Sequence, residues 1–305
     1  MMNIFMDQVK KKQNIRQLFL ELIAIDSPYP HEDEVKEYIY AFLDSQNVSY
    51  ENDAFGNIIA RLPGEGESLM LNTHFDIPEP TPEAKYEEEG NIIRATGENI
   101  LGADPKSGLA VLLELIRTLV TSERPYRPIE FVFTRGEEVG LVGAINLDYS
   151  LITSKEGLVI DQDGRVSEVV VQAPGYIQVN GKFEGKVVHP SEPQNGVNAL
   201  AIASEAFTKV GWGYLSNSIT WNVGRIRGGT ARNSVPGNLE FEAELRGYDM
   251  DELQAKSEEI RQTFDSVAEK HGGRYLGEHT LFFASYKLDT GSQLISRLAK
   301  TLQKH

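Results

Sequence analysis

Residues 68–76 read SLMLNTHFD. An apolar run from Leu69 to Asn72 gives way to His74, and then to Asp76. A short apolar, β-rich run bounded by turn signals reads as a buried strand. More such runs lie on either side: Asn57 to Arg61, Ile92 to Arg94, Ile129 to Phe133 and Gly157 to Ile160. Leu109, Leu112, Leu113, Ile116 and Leu119 make one broad apolar stripe, which predicts an amphipathic helix over Ser107 to Thr121. Two further helix patterns open the chain, one on Leu18, Leu22 and Ile25, the other on Val35, Tyr38, Ile39 and Phe42, with Pro28 and Pro30 between them. Strands alternating with helices predict an α/β sandwich around a largely parallel sheet. In open sheets of that kind ligands gather at the carboxyl ends of strands, where His74 and Asp76 fall.

The texture changes near Ala173-Pro174-Gly175. From Tyr176 the order reads strand, helix, strand, strand, helix, strand. The clearest strand is Asn238 to Arg246, with Leu239, Phe241, Ala243 and Leu245 on one face and Glu240, Glu242, Glu244 and Arg246 on the other. A capping-box-like start at Asp249 to Glu252 opens the helix that follows. Three segments result. Residues 1–175 form the first part of an α/β domain, 176–284 a two-layer α+β domain of ferredoxin-like order, and 285–305 a linker and one helix carrying Leu294, Ile295, Leu298 and Leu302.

Composition narrows the function. A chain of 305 residues fits about two domains at roughly 150 residues each. The absence of cysteine excludes disulfides, iron–sulfur clusters, thiol nucleophiles and zinc-thiolate sites. A net charge of −15 argues against nucleic-acid or anionic-membrane partners and leaves divalent cations as natural ones. No apolar run approaches the roughly 18 residues of a membrane helix, and the first residues have no apolar core of signal-peptide length. The expected location is the cytoplasm.

Four places carry chemistry. His74, with Asp76 beside it, offers an imidazole that suits zinc and a carboxylate able to orient it; the bland alternative is a strand-end histidine satisfied by a turn. Asp104 sits in the glycine-flanked turn Gly102 to Gly108, where it serves either a cation or a helix cap. The spacing is wrong for a phosphate loop. Its bond to Pro105 is one that adopts the cis form readily. Glu137 and Glu138 follow the strand Ile129 to Phe133; one can coordinate a metal while the other acts as general base, or both can be a solvated turn. Asp161 ends the strand Gly157 to Ile160, ahead of an Asp163-Gly164 turn signal. Together they suggest a two-metal site, because Asp104, Glu138, Asp161 and one hydroxide would neutralise two divalent cations.

These motifs, in this order, resemble the di-zinc exopeptidase and amidohydrolase family of peptidase T, carboxypeptidase G and aminoacylase. The resemblance runs over nearly the whole chain. Asp53-Ala54-Phe55-Gly56-Asn57 and Thr134-Arg135-Gly136-Glu137-Glu138-Val139-Gly140 are most like the peptidase T-like tripeptidases. The resemblance implies a three-layer α/β/α zinc-exopeptidase-like catalytic domain with an inserted ferredoxin-like lid. It implies His74 and Asp161 as ligands of a first metal, Asp104 as bridging ligand, Glu138 as ligand of a second, Asp76 as the partner of His74 and Glu137 as general base. Two zinc ions are implied, with cobalt or manganese as alternatives. The family usually has Asp or Asn where this chain has Pro105. In the lid, His189 is implied to stabilise an oxyanion, often across a homodimer, and Asn233 and Arg246 to hold the substrate's carboxylate. The implied substrate is a short peptide, or, in the deacylase branch, an N-acyl amino acid.

The family pattern continues past the lid to a Gly-Gly-Ser-Asp/Asn type loop and a last histidine ligand. After Ala284 the nearest fragments are Gly291-Ser292 and His305, both in the wrong context. The expectation is a catalytic domain that is incomplete, supplies four of five metal ligands and has weak or no activity as written.

Overall fold

A computed structural model of the protein describes residues 2–81 and 85–302. They divide into two units, Met1–Arg165 and Val166–His305, a division ahead of the sequence-based boundary at Gly175–Tyr176. Among the described residues no helix is long and apolar enough to cross a membrane.

The first unit opens with helices α1 (Met2–Ile23) and α2 (Asp33–Ser45) and strands β1 (Ser49–Asn52), β2 (Ile58–Leu62) and β3 (Leu69–His74). A hairpin of β4 (Tyr86–Glu89) and β5 (Ile92–Ala95) follows, then α3 (Ala103–Val120), β6 (Ile129–Thr134), the short α4 (Val142–Ile145) and β7 (Gly157–Val159). The central sheet has the order β1-β2-β6-β3-β7. Strands β6, β3 and β7 are parallel, as expected, while β1 and β2 join antiparallel. The turn between β1 and β2 is too short for the crossover a parallel pair needs. Strands β1 and β4 have no counterpart in the sequence reading: SYEN and YEEE are short and mostly exposed, so neither shows an alternation.

Strand β6 is buried from Ile129 to Thr134 without a break, hence its continuous apolar appearance. On one face Ile58, Ala60, Leu62, Leu71, Phe131 and Phe133 pack against α1, α2 and α3. On the other, Ile59 and Val132 meet Leu147, with Met70, Leu151 and Ile152 beside them. Parallel strands share a direction, so β3, β6 and β7 all end at one edge of the sheet. The amino end of α3 reaches that edge because residue 108 is glycine: a Cβ there would lie 2.4 Å from the Ile160 carbonyl and 3.1 Å from Thr73 Oγ1.

The second unit holds β8 (Gln172–Ala173), β9 (Gly175–Glu184), α5 (Ala199–Val210), β10 (Gly213–Tyr214), β11 (Ile219–Gly228), β12 (Asn238–Gly247), α6 (Met250–Lys270), β13 (Arg274–Phe283), β14 (Tyr286–Lys287) and α7 (Gln293–Leu302). Its sheet runs β10-β11-β12-β9-β13, all antiparallel. Apart from the two-residue β10, this is the ferredoxin-like order. Leu239, Phe241, Ala243 and Leu245 are buried in a core with α5 and α6. Phe183, Phe207, Phe241, Phe264 and Tyr275 stack edge and face at its centre. Asp249 caps α6, its side chain accepting from the Glu252 amide at 2.9 Å. The segment after residue 284 starts with β14, which pairs with β8.

Candidate metal centre

His74 is the last residue of β3 and is buried. Its Nδ1 lies 3.2 Å from Asp76 Oδ1. Its Nε2 faces Asp104 Oδ1 at 3.0 Å and Asp161 Oδ1 at 3.4 Å. An Nδ1–H donated to Asp76 would leave Nε2, once it gives up its own proton, with a lone pair for a cation, the arrangement a metal-binding imidazole requires. Asp104 enters from the kink at the start of α3, where its ψ of 115° departs from the helix. Its peptide bond to Pro105 is cis. The aspartate is largely solvent-exposed, yet its carboxylate still reaches the imidazole.

Glu137 and Glu138 lie on the turn that follows β6, and fully buried Asp76 holds them. Its Oδ1 accepts from the Glu137 amide at 2.9 Å and its Oδ2 from the Glu138 amide at 3.1 Å. Asp76 therefore orients the histidine and the glutamate turn at once. His74, Asp104 and Glu138 present ligand atoms within 4.8 Å of one another.

The electrostatics follow from crowding. Burial and the nearby carboxylates of Asp104 and Glu137 push Glu138 up to about 7. Burial, reinforced by Asp161, Asp76 and Asp104, also raises Glu137. For His74 burial works the other way, but hydrogen bonds to Asp104, Asp161 and Asp76 overcome it and push the imidazole up to about 12. The hydrogen bond to His74 keeps Asp104 below the usual carboxylate range. One imidazole among hard carboxylate oxygens is a donor set for zinc, manganese or cobalt. Divalent cations would neutralise the charge that these shifts register, so the residues fit a metal.

All four expected ligands converge, with Glu137 and Asp76 beside them. The lid residues are arranged differently. Exposed His189 hydrogen-bonds Ser191 Oγ at 2.7 Å. Exposed Asn233 lies in the turn after β11, which the Val235 amide ties to the Val188 carbonyl at 2.9 Å, so Asn233 and His189 are on neighbouring segments. Arg246 is at the opposite end of β12, over the Tyr176 ring at 5.0 Å and paired with Glu244 at 3.0 Å. From Asn238 to Arg246 is on the order of 25 Å of strand. Within one chain, Asn233 and Arg246 do not meet. Of the histidines outside every motif, His31 and His271 are exposed, whereas His279 is half-buried between Ser257 at 2.8 Å and Tyr275 at 3.0 Å. His305 lies outside the described residues.

Some supporting residues gave no sequence signal. Lys106 is fully buried, donates to the Ile25 carbonyl and is brought down by burial to about 8. Asn57 is fully buried, and Arg135 pairs with buried Glu32. Asn57 and Arg135 were visible in advance only as members of two motifs, without a role.

The chain is similar to known proteins over most of its length. Residues 57–173 match the family described as Peptidase family M28, and residues 171–273 match the Peptidase dimerisation domain. The uncharacterized protein YqjE of Bacillus subtilis is 32% identical over 304 residues, covering 96% of this chain and 82% of that one. Aminopeptidase PepT from Bacillus cereus superposes with a TM-score of 0.86 at 32% identity, over 96% of this chain and 82% of its own. A tripeptidase from Staphylococcus aureus gives a TM-score of 0.92 at 28% identity, over 96% and 81%. With likeness of this extent reaching a solved aminopeptidase, the chain belongs to the peptidase T-like metallopeptidases, a family of hydrolases.

Proposed function

We propose that the protein is a metal-dependent exopeptidase that cleaves short peptides from the amino terminus, in the manner of an aminopeptidase or tripeptidase. The observation that carries this reading is the convergence of His74, Asp104, Asp161 and Glu138 at one sheet edge, with Glu137 beside them. His74 and Asp161 would hold a first divalent cation, Glu138 a second, and Asp104 would bridge them; zinc suits the donors best, with cobalt or manganese as alternatives. When bound, the pair supplies Lewis acidity for activating water and stabilising a tetrahedral oxyanion. Glu137 takes the proton from the attacking water and delivers it to the leaving amine, and its raised pKa suits both transfers. Asp76 keeps the His74 ring and the glutamate turn in register.

His189 and Asn233 are proposed to meet the substrate's oxyanion and carboxylate, and Arg246 the carboxylate. Because Arg246 lies at the far end of β12 from the other two, the assignment calls for a homodimer through the lid: two chains can supply what one cannot. The likeness to a dimerisation domain supports the same assembly.

A substrate panel tests the reading. Purified protein loaded with zinc is offered free-amine tripeptides and N-acyl amino acids. Slow tripeptide cleavage, lost with a chelator and regained with zinc, is the expected result. A preference for N-acyl amino acids would replace the peptidase reading with a deacylase one, and no turnover by the loaded protein would end both.

A further inference from the structure

The turn that carries Glu137 and Glu138 is gripped from two sides. Asp76 holds its middle. Its ends are held by residues that are not among the expected ligands and carry no assigned role. The Arg135 amide donates to Asn57 Oδ1 at 3.2 Å, and the same buried side chain donates from Nδ2 to the Gly143 carbonyl at 3.0 Å. Asp53 fixes that amide group by accepting from Nδ2 at 2.7 Å. The Arg135 guanidinium reaches Glu32, Nη2 to Oε2 at 2.7 Å and Nε to Oε1 at 3.4 Å, while Nη1 donates to the Phe55 carbonyl at 3.2 Å. It lies over the rings of Tyr29 and Phe55, at 5.3 and 5.7 Å from their centroids. The Glu32 side chain is fully buried.

This is unlike an exposed ion pair, which is worth little. A buried carboxylate opposite a rigid guanidinium fork fixes a geometry, because neither partner can leave without stranding the other. The turn itself leaves no slack. A Cβ on residue 143 would lie 2.0 Å from the Arg135 carbonyl, and Gly136 has a φ of 59° with Val142 2.4 Å from where its Cβ would be.

We propose that the Glu32–Arg135 pair is a positioning device for Glu137 and Glu138, acting through the turn that Asn57 closes. The pair sets where the two carboxylates stand before any ligand arrives. The inference rests on the proposed roles of Glu137 and Glu138, so its test includes a measurement that needs no activity.

The variant of choice is the double substitution Glu32→Met with Arg135→Met, which strands no charge; replacing a buried pair by apolar side chains is often neutral for stability. In the metal-free protein, the Glu137 and Glu138 amides should exchange hydrogen at least about tenfold faster, at a melting temperature close to the parent's. Zinc titration should show affinity weakened about 10–100-fold, and kcat should fall by a similar factor with KM held within about twofold. Parent-like exchange or parent-like zinc affinity in a well-folded double variant would overturn the proposal. Should that variant not fold, Arg135→Lys keeps the charge opposite Glu32 but loses the fork, and the same expectations and the same overturning results apply to it. A parent protein that hydrolyses nothing would refute the peptidase reading and leave the exchange result to decide this one.

Discussion

Asp76 is bonded to the His74 ring and to the amides of Glu137 and Glu138, so a single carboxylate links the imidazole to the glutamate turn. The proposed division of labour in that turn gives a direct prediction. Glu137→Gln should leave metal content at the parent level while kcat falls about 10²–10⁴-fold; elemental analysis beside steady-state kinetics decides it, and retained turnover would remove Glu137 from its role. The pKa shifts give a second. Glu138 titrates at about 7 in the fold against 4.5 in the unfolded reference. The fold thus holds its proton more tightly, and that stabilisation is present below pH 4.5 and lost as pH rises through about 7. His74, raised from 6.5 to about 12, acts in the same sense: its contribution is complete below 6.5 and declines above it. The metal-free protein should therefore lose stability on going from about pH 5 to about pH 8, whereas zinc, which needs deprotonated ligands, should stabilise more at the higher pH. Melting curves with and without zinc at both values check this, and a zinc increment that shrank with rising pH would contradict the assignment.

Among the elements, α3 and the end of β7 depend on one contact. Alanine ordinarily favours a helix interior over glycine by about 1 kcal/mol. At residue 108 its methyl would press on the Ile160 carbonyl, so Gly108→Ala should instead destabilise by about 1–3 kcal/mol. Because Asp104 opens α3 and Asp161 follows β7, zinc affinity should drop with it; calorimetric titration checks that, and an unchanged affinity would detach the helix position from the site. This contact also marks the limit of what the sequence could say. Strand β6 was legible because burial on both faces made it a continuous apolar run, and β3 and β7 because their short apolar runs are bounded by turn signals. His74, Glu138 and Asp161 were legible as polar residues just past such runs, and Asp104 by its glycine-flanked turn ahead of α3. Strands β1 and β4 carry no burial pattern and left no trace. Glu32 and Arg135 are 103 residues apart, and no local spacing signals a pairing made only by the folded chain. The same holds for the second task of Asp76, which uses backbone amides that every residue possesses. For Asn233 and Arg246, motif likeness placed both at one carboxylate, whereas strand register put them at opposite ends of β12.

At the scale of the whole molecule, the two principal cores share no residue. Scanning calorimetry should resolve two unfolding transitions, with zinc raising one and leaving the other in place, since a ligand stabilises the unit that binds it. A single transition moved as a whole by zinc would show the units to be coupled. The order of the units matters as well. His74, Asp104, Glu138 and Asp161 all precede Arg165, the end of the first unit. Synthesis runs from the amino end, and domains fold largely in turn as they emerge. The ribosome will thus have delivered all four of these side chains before most of the lid exists. Nascent chains stalled once the first unit has cleared the exit tunnel should retain zinc, which would place metal acquisition among the early events of this protein's biosynthesis.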